Sequence, residues 1–259
     1  MVNDIQMYKN QLDKFGHIQF IEDNHVYMID GQAAPSVTSL LKNLLKPFDQ
    51  EYWAKIKAHE LKVSVEDILS KWQFNAQFAK TKGTLVHQFL ESYLSNIQFT
   101  YPQELIIETF GYDPIQEPFQ QIINIVQKFL NDIDNKMLPL FSEFVIGDRE
   151  HIIGGTIDQL FYNKKSGQIE IWDWKTNKEI KLESRYFHLM PINHIPDTEL
   201  DHYSLQLSLY KLIVERNTGL VLGNSYIAWF NEKLPAYRIY RAKDYKEEAK
   251  LILGAFRGV

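Results

Sequence analysis

Apolar residues in this chain form short runs between turn-forming residues in the middle, and recur at helical spacing on either side. Three consecutive runs rich in β-branched and aromatic residues predict strands. They are FSEFVIGD (141–148), GGTIDQLFY (154–162) and QIEIWDWKT (168–176). Two more strands are predicted at 224–230 and 236–241, and a hairpin at 17–31 that turns at Asp23-Asn24.

Helical spacing of apolar residues predicts the remaining elements. Helices are expected at 83–94, 118–133, 201–216 and 244–256, with Thr84 as the N-cap of the first. Another helix is expected to start at Pro35-Ser36, with helical pieces over 47–80 and a loop with a short helix over 95–117. Helices followed by strands, a helix and two strands predict a mixed α/β core.

Composition narrows the class of protein. The 259 residues include no cysteine, which excludes disulfides, zinc–thiolate sites and iron–sulfur clusters held by cysteine. The polar amino terminus and the lack of long apolar runs lead us to expect a soluble, cytoplasmic protein without membrane contact. A net charge of −5 argues against non-specific coating of nucleic acid but is compatible with a nucleic-acid enzyme.

Three charged residues stand out in the second and third predicted strands: Asp158, Asp173 and Lys175. If these strands pair around a turn centred between Lys165 and Ser166, position 158 is opposite position 173. Opposed side chains share a face of the sheet with Cβ atoms about 5 Å apart, and position 175 shares that face.

Two carboxylates placed directly opposite each other repel, and a divalent cation would offset the repulsion. A solvent-exposed face is the alternative, since exposed charges are common. The apolar neighbours on both faces favour a buried hairpin instead, with Leu160 and Ile171 on one side and Trp172 and Trp174 on the other. The pair Gly154-Gly155 predicts close approach of another part of the chain.

These motifs resemble the active-site hairpin of the PD-(D/E)XK nuclease superfamily. G-T-I-D places Asp158 at the first acidic position, and D-W-K-T places Asp173 and Lys175 at the (D/E)-x-K pair. G-T-L-V-H (His87) and Q-L-S-L-Y (Gln206 and Tyr210) resemble the branch that includes the RecB nuclease domain and phage recombination exonucleases. The stretch from H-V-Y-M-I-D-G to P-S-V-T is similar to phage-encoded members and to the mitochondrial genome-maintenance exonuclease.

The resemblance implies an α/β, restriction-endonuclease-like core with a central mixed β-sheet flanked by helices. It also implies hydrolysis of DNA phosphodiester bonds with one or two Mg²⁺ or Mn²⁺ ions. It favours an exonuclease of phage recombination, replication or repair, with DNA ends as substrate and a single-strand annealing protein and a second copy as candidate partners. A structure-specific or restriction-type endonuclease is the first alternative, and a non-catalytic DNA-binding scaffold the second. We expect one nuclease domain, with 1–80 as an N-terminal DNA-binding elaboration and 81–259 as the catalytic core.

The resemblance also implies roles for individual residues. The candidate metal ligands are His87, Asp158, Asp173 and the backbone carbonyl of Trp174, with Glu91 and Glu143 as further candidates. Lys175 would position the attacking water and stabilise developing charge. His87 as a core histidine, Glu91 as a surface carboxylate and Glu143 without a functional role remain open alternatives.

Other residues are expected to act near the site or on DNA. Gln206 and Tyr210 share one face of a helix, where they could serve catalysis or only pack. Ser36 and Thr38 begin a helix that could hold a phosphate or simply be capped. The residues expected to contact DNA are Ser36, Thr38, Lys82, Thr84, Thr176, Lys178 and Arg185. Lys80 is a further candidate for the DNA backbone, and any of these lysines could instead be solvated surface.

Overall fold

Two β-sheets form the framework of the protein. The computed structural model describes residues 2–22 and 26–256, with side chains from residue 4 onward, so the turn predicted at Asp23-Asn24 lies outside the described residues. A small antiparallel sheet contains β1 (Gln19–Ile21), β2 (Val26–Ile29) and β3 (Gln32–Ala34). The five-stranded sheet contains, in spatial order, β4 (Met137–Asp148), β5 (Ile153–Asn163), β6 (Gln168–Lys175), β7 (Ser225–Trp229) and β8 (Arg238–Arg241).

The five-stranded sheet is mixed, as predicted. β6 and β7 run parallel, and the other neighbouring strands run antiparallel. A parallel pair needs a long crossover, which here contains an irregular segment and one long helix. The five strands expected from the sequence all exist, although β4 begins four residues earlier than predicted.

Helices surround the large sheet. They are α1 (Val2–Leu12), α2 (Val37–Lys42), α3 (Gln50–Leu61), α4 (Val65–Leu94), α5 (Gln103–Phe110), α6 (Gln116–Ile133), α7 (Glu199–Thr218) and α8 (Lys246–Ala255). The sequence pattern did not predict α1 or β3. The expected start of α2 is confirmed, because the Ser36 side chain accepts a hydrogen bond from the Ser39 amide at 3.0 Å. No helix in the described part of the chain is both long and apolar enough to cross a membrane.

Helix α4 differs from the prediction. It is one continuous helix of 30 residues, so the expected N-cap at Thr84 is wrong. Its N-terminus is capped instead by Ser64, whose side chain and that of Asp67 exchange hydrogen bonds with each other's backbone. Gly83 lies inside the helix, and a Cβ there would come within 3.3 Å of the Thr176 hydroxyl. The division expected between residues 80 and 81 therefore falls within α4.

The core occupies both faces of the large sheet. One cluster packs Leu160, Ile169 and Ile171 against apolar residues of α7. The other packs Phe161, Trp172 and Trp174 with apolar residues of α4 and α6. Both faces of the β5–β6 hairpin are thus buried, as the sequence predicted, and the charged end of this hairpin lies between helices.

Candidate active site

The β5–β6 hairpin has the register that the turn predicted. Its paired residues run from Asn163 opposite Gln168 to Gln159 opposite Trp172, and the next positions in this register are Asp158 and Asp173. There the Asp158 carboxylate accepts a hydrogen bond of 2.7 Å from the Trp174 amide. The side chain of Asp158 thus bonds to the backbone of β6 just beyond the last backbone pair of the hairpin, Gln159 with Trp172.

His87 of α4 lies beside two carboxylates of the sheet. Its Nε2 donates a hydrogen bond of 3.0 Å to the Trp174 carbonyl. Its Nδ1 lies 3.6 Å from the Glu143 carboxylate and 3.7 Å from the Asp158 carboxylate. One ligand atom from each of the three side chains lies within 4.8 Å of the other two. Imidazole and carboxylate groups at this spacing can share one divalent cation.

Glu143 reaches this cluster from an unusual backbone conformation. It lies on β4 between the pairs Ser142–Gln159 and Phe144–Ile157, which places it opposite Asp158. Its φ of 45° lies in the left-handed region, which costs a residue with a Cβ about 1–2 kcal/mol. Backbone strain of this kind is concentrated at functional sites. The chain therefore tolerates strain where it presents a third metal-ligating group.

Asp173 and Lys175 form a second polar group next to this cluster. The Lys175 ammonium lies 2.6 Å from the Asp173 carboxylate and 4.7 Å from the centre of the Tyr203 ring. Gln206 donates hydrogen bonds to the Asp173 carboxylate at 3.5 Å and to the Tyr210 hydroxyl at 3.2 Å. The structure thus places the predicted residues of β6 and α7 in one network.

The electrostatics of the site favour cations. Burial lowers the pKa of His87, but the carboxylates of Asp158 and Glu143 outweigh this and raise it to about 9. Burial raises the pKa of Asp173 to about 6, against the effect of the Lys175 ammonium. The pKa of Lys175 is raised as well, because the carboxylates of Asp173 and Asp158 outweigh the effect of burial. The neighbouring carboxylates thus favour the protonated forms of His87 and Lys175, whereas burial does so for Asp173.

The ligand atoms of this cluster fit a divalent cation. His87 Nδ1 and the carboxylates of Glu143 and Asp158 would hold the ion. The Trp174 carbonyl and Asp173, also predicted as ligands, border this set but are engaged by His87 and Lys175 respectively. A mixed imidazole and carboxylate set accepts Mn²⁺ as well as Mg²⁺.

An open cavity of about 620 Å³ gives access to the cluster. Its walls come from four parts of the chain: the small sheet with α2, helix α4, strands β4 and β5, and helix α7. The lining residues are Phe20, Glu22, Tyr27, Thr38, Gly83, Thr84, His87, Gln88, Glu91, Glu143, Val145, Thr156, Asp158, Gln206 and Tyr210. The N-terminal elements therefore complete the site.

The paired glycines allow tyrosine rings to approach β5. A Cβ on Gly154 would lie 2.4 Å from the Tyr27 side chain, and one on Gly155 would lie 2.5 Å from the Tyr210 ring. Gly154 also receives the backbone approach that the sequence predicted, since its amide donates to the Pro35 carbonyl at 3.0 Å. The two glycines thus bring the small sheet and α7 against the β5–β6 hairpin.

The residues expected to contact DNA are placed in different settings. Thr38 and Thr84 line the cavity. Glu91, predicted as a further candidate metal ligand, also lines it but is not part of the group formed by His87, Glu143 and Asp158. Ser36 is buried and caps α2, and Thr176 lies against Gly83. Lys178 and Arg185 are exposed.

Lys82 has a different environment from the other candidates for DNA contact. It is only 5% exposed, and its ammonium pairs with Glu232 at 2.9 Å. A buried ammonium with a carboxylate partner is poorly placed to meet a phosphate, so Lys82 is not part of our proposal for DNA binding.

Several residues at the site were not predicted from the sequence. Tyr27 and Thr156 share a hydrogen bond of 2.9 Å in the wall of the cavity. Tyr203 stacks on the Lys175 ammonium and its hydroxyl accepts a hydrogen bond from Asn177. Tyr203 precedes Gln206 by three residues on α7, so helical spacing could have identified it. Tyr27 carries no such local signal.

Comparison with known proteins agrees with this geometry. The family model of the PD-(D/E)XK nuclease superfamily matches residues 62–251, and the chain belongs to this superfamily. A search among curated proteins gives no match.

A comparison with solved structures gives distant matches, including these two. A candidate exonuclease from Eubacterium rectale is 17% identical with a TM-score of 0.40, covering 66% of this chain and 63% of that protein. The protein SSO0001 is 14% identical with a TM-score of 0.31, covering 70% of this chain and 84% of that one.

Proposed function

We propose that this protein is a Mg²⁺- or Mn²⁺-dependent deoxyribonuclease that hydrolyses phosphodiester bonds from DNA ends. The observation that carries the proposal is the convergence of His87, Glu143 and Asp158 within 4.8 Å, beside the Asp173–Lys175 pair. Membership of the nuclease superfamily supports the reaction. The exonuclease assignment rests on the resemblance of the His87 and Gln206 motifs to the RecB and phage branch.

The protein's own groups have separate tasks in this reaction. A bound divalent ion supplies polarisation of the phosphoryl oxygen and acidification of a water molecule. Lys175 stays protonated near neutral pH because its pKa is raised, so it can orient a water molecule and stabilise negative charge that develops on the phosphate. Asp173 holds the Lys175 ammonium in place, and Gln206 holds Asp173.

The cellular setting follows from the same resemblance. We infer a role in phage DNA recombination, replication or repair in the bacterial cytoplasm, with a single-strand annealing protein as a partner. Self-association belongs to the same inference. Co-purification of the protein with an annealing protein encoded in the same genome would test the partner, and failure to co-purify would count against it.

End-labelled DNA tests the proposed function. Linear and closed circular DNA would be incubated with the protein in Mg²⁺, Mn²⁺ or EDTA. We expect metal-dependent loss of linear DNA and intact circles, because an exonuclease needs an end. Lys175→Ala should lower the rate at least about 10²-fold, the effect of removing one charge-stabilising group. Lys250→Ala, an exposed lysine of α8, is the control.

The possible outcomes separate the competing functions. Cleavage of circles would make the protein an endonuclease of the same superfamily. Absence of cleavage on every substrate would favour a DNA-binding scaffold. Equal rates for wild type and Lys175→Ala would refute the role given to Lys175.

A further inference from the structure

Helix α4 extends far beyond the active site and presents one continuous face. Because an α-helix turns about 100° per residue, residues eleven positions apart lie within about 20° of each other around the axis. Trp72 therefore lies on the same face as Gly83, and Ala76 on the same face as His87. Lys80 lies within the same arc of about 80°, and along the axis it lies between Ala76 and Gly83.

A second cavity lies at the far end of this face. It has a volume of about 600 Å³ and is lined by Phe48, Gln50, Glu51, Leu69, Trp72, Gln73 and Ala76. Phe48 is 66% exposed, and its ring centre lies 5.9 Å from that of Trp72. Exposed aromatic rings that line an open cavity can accept a flat apolar ring stacked upon them.

The surroundings favour a nucleic-acid base over other flat groups. Lys80 is exposed and forms no ion pair with any residue that the structure describes, so its ammonium is available for a phosphate. Glu51 places a carboxylate in the second cavity, which disfavours a phosphate there and leaves the aromatic rings as the recognition element. Going along α4 towards its C-terminus, the rings of Phe48 and Trp72 come first, the Lys80 ammonium second and the metal-ligating cluster last.

The spacing can be expressed in nucleotides. Trp72 and His87 are fifteen residues apart, which is about 22 Å along an α-helix at 1.5 Å per residue. At the rise of about 3.4 Å per nucleotide of a stacked strand, this corresponds to about six or seven nucleotides, and to fewer in a stretched strand. A single strand that enters the active site along α4 can therefore reach Phe48 and Trp72.

We propose that Phe48 and Trp72 form a stacking platform for an unpaired base of single-stranded DNA, whose backbone passes Lys80 on its way to the active site. The proposal rests on the proposed function as a DNA nuclease and specifies its substrate as DNA with an unpaired segment. Stacking of a base on an aromatic side chain contributes free energy without requiring a particular sequence.

Binding measured without metal tests this proposal independently of cleavage. Fluorescence anisotropy in EDTA would record the affinity for a labelled 12-nucleotide oligothymidylate and for a blunt 12-base-pair duplex. We expect Phe48→Ala and Trp72→Ala each to weaken single-strand binding at least about fivefold, the lower end for loss of one stacked base. Duplex binding should change less than twofold.

Matched controls lie on the other side of the same helix. Phe74 is an exposed aromatic residue of α4 about 200° from Trp72, and Phe74→Ala should leave single-strand binding within twofold. Lys80→Ala should weaken binding and reduce its salt dependence by about one phosphate contact. Lys71→Ala, an exposed lysine facing away, should do neither.

Three kinds of result would overturn the proposed stacking platform. Unchanged single-strand affinity in Phe48→Ala and Trp72→Ala, or equal losses with the duplex or with Phe74→Ala, would overturn the platform. A change of molar mass in light scattering on Phe48→Ala would instead mark this face as a contact between copies and also overturn it. If the platform variants bind normally while the wild type hydrolyses DNA, only the platform fails.

Discussion

The carboxylate of Asp158 accepts a hydrogen bond of 2.7 Å from the backbone amide of Trp174. The carbonyl of the same Trp174 accepts a hydrogen bond from His87. One residue of β6 thus fixes the orientation of two candidate metal ligands. The His87 Nδ1 is left facing the carboxylates, which is the arrangement a cation would use.

Gly155 should be intolerant of a side chain. Gly155→Ala places a Cβ 2.5 Å from the Tyr210 ring, which must move and disturb Gln206. We expect the free energy of unfolding to fall by about 1–3 kcal/mol, as for overpacked cores. Urea denaturation measures this. Gly254→Ala is the control, because nothing lies near its Cβ and alanine favours the helix; equal losses in both variants would contradict the packing argument.

Glu143 should be important for metal binding and costly for stability. Glu143→Gly removes the carboxylate but relieves the left-handed strain, whereas Glu143→Ala removes the carboxylate and keeps the strain. We expect the glycine variant to be more stable than the alanine variant by about 1 kcal/mol in chemical denaturation. Both should lose DNA cleavage alike. A less stable glycine variant would show that position 143 is unstrained.

Lys82 should act on stability and leave DNA affinity unchanged. Lys82→Met leaves the Glu232 carboxylate without its partner in a largely buried setting, which should cost about 3 kcal/mol of unfolding free energy. Lys57→Met, which breaks an exposed pair with Glu60, should cost under about 0.5 kcal/mol. A normal melting temperature in Lys82→Met together with a reduced salt dependence of DNA binding would restore Lys82 as a DNA contact.

Asp201 should make the protein sensitive to acid. It is fully buried near the start of α7, and its carboxylate accepts hydrogen bonds from Lys243 at 2.6 Å, Thr198 at 2.8 Å and Tyr245. Burial raises its pKa, but these partners outweigh burial and lower the pKa below its usual value. A lowered folded-state pKa means that this stabilisation is present above the unfolded-state pKa of about 4 and is lost as the pH falls below it.

Asp201→Asn measures this contribution. The free energy of unfolding at pH 7 should fall by about 2 kcal/mol, the scale of hydrogen bonds to a charged group. The difference from wild type should shrink as the pH falls from about 4 towards the folded-state pKa. A difference that stays constant over that range would mean that Asp201 titrates alike in both states.

The register of the β5–β6 hairpin could be predicted from the sequence because the residues that determine it are close together in the chain. The turn at Lys165 and Ser166 and the apolar neighbours of Asp158 and Asp173 determine the register, and the structure has that register. The nearness of His87 to Asp158 is a contact between distant segments, so the pattern of apolar residues could not show it. That prediction came from the resemblance to known nucleases.

Other features were hidden because they depend on tertiary contacts. Gly83 was expected to start a helix, yet it lies inside α4, where a side chain would make a tight contact with Thr176 of a distant segment. The burial of Lys82 could not be predicted from the sequence, because its partner Glu232 lies 150 positions away. Tyr27 gives no local sign that it would reach the cavity wall from the small sheet.

Calorimetric titration with Mn²⁺ tests the central claim most directly. Wild type should bind Mn²⁺, while His87→Gln, Glu143→Gln and Asp158→Asn should each weaken binding at least tenfold, as expected for loss of a metal ligand. Glu22→Gln, which changes an acidic residue of the same cavity outside the cluster, should bind as wild type does. Absence of binding at millimolar Mn²⁺, or an equal loss in Glu22→Gln, would contradict the account.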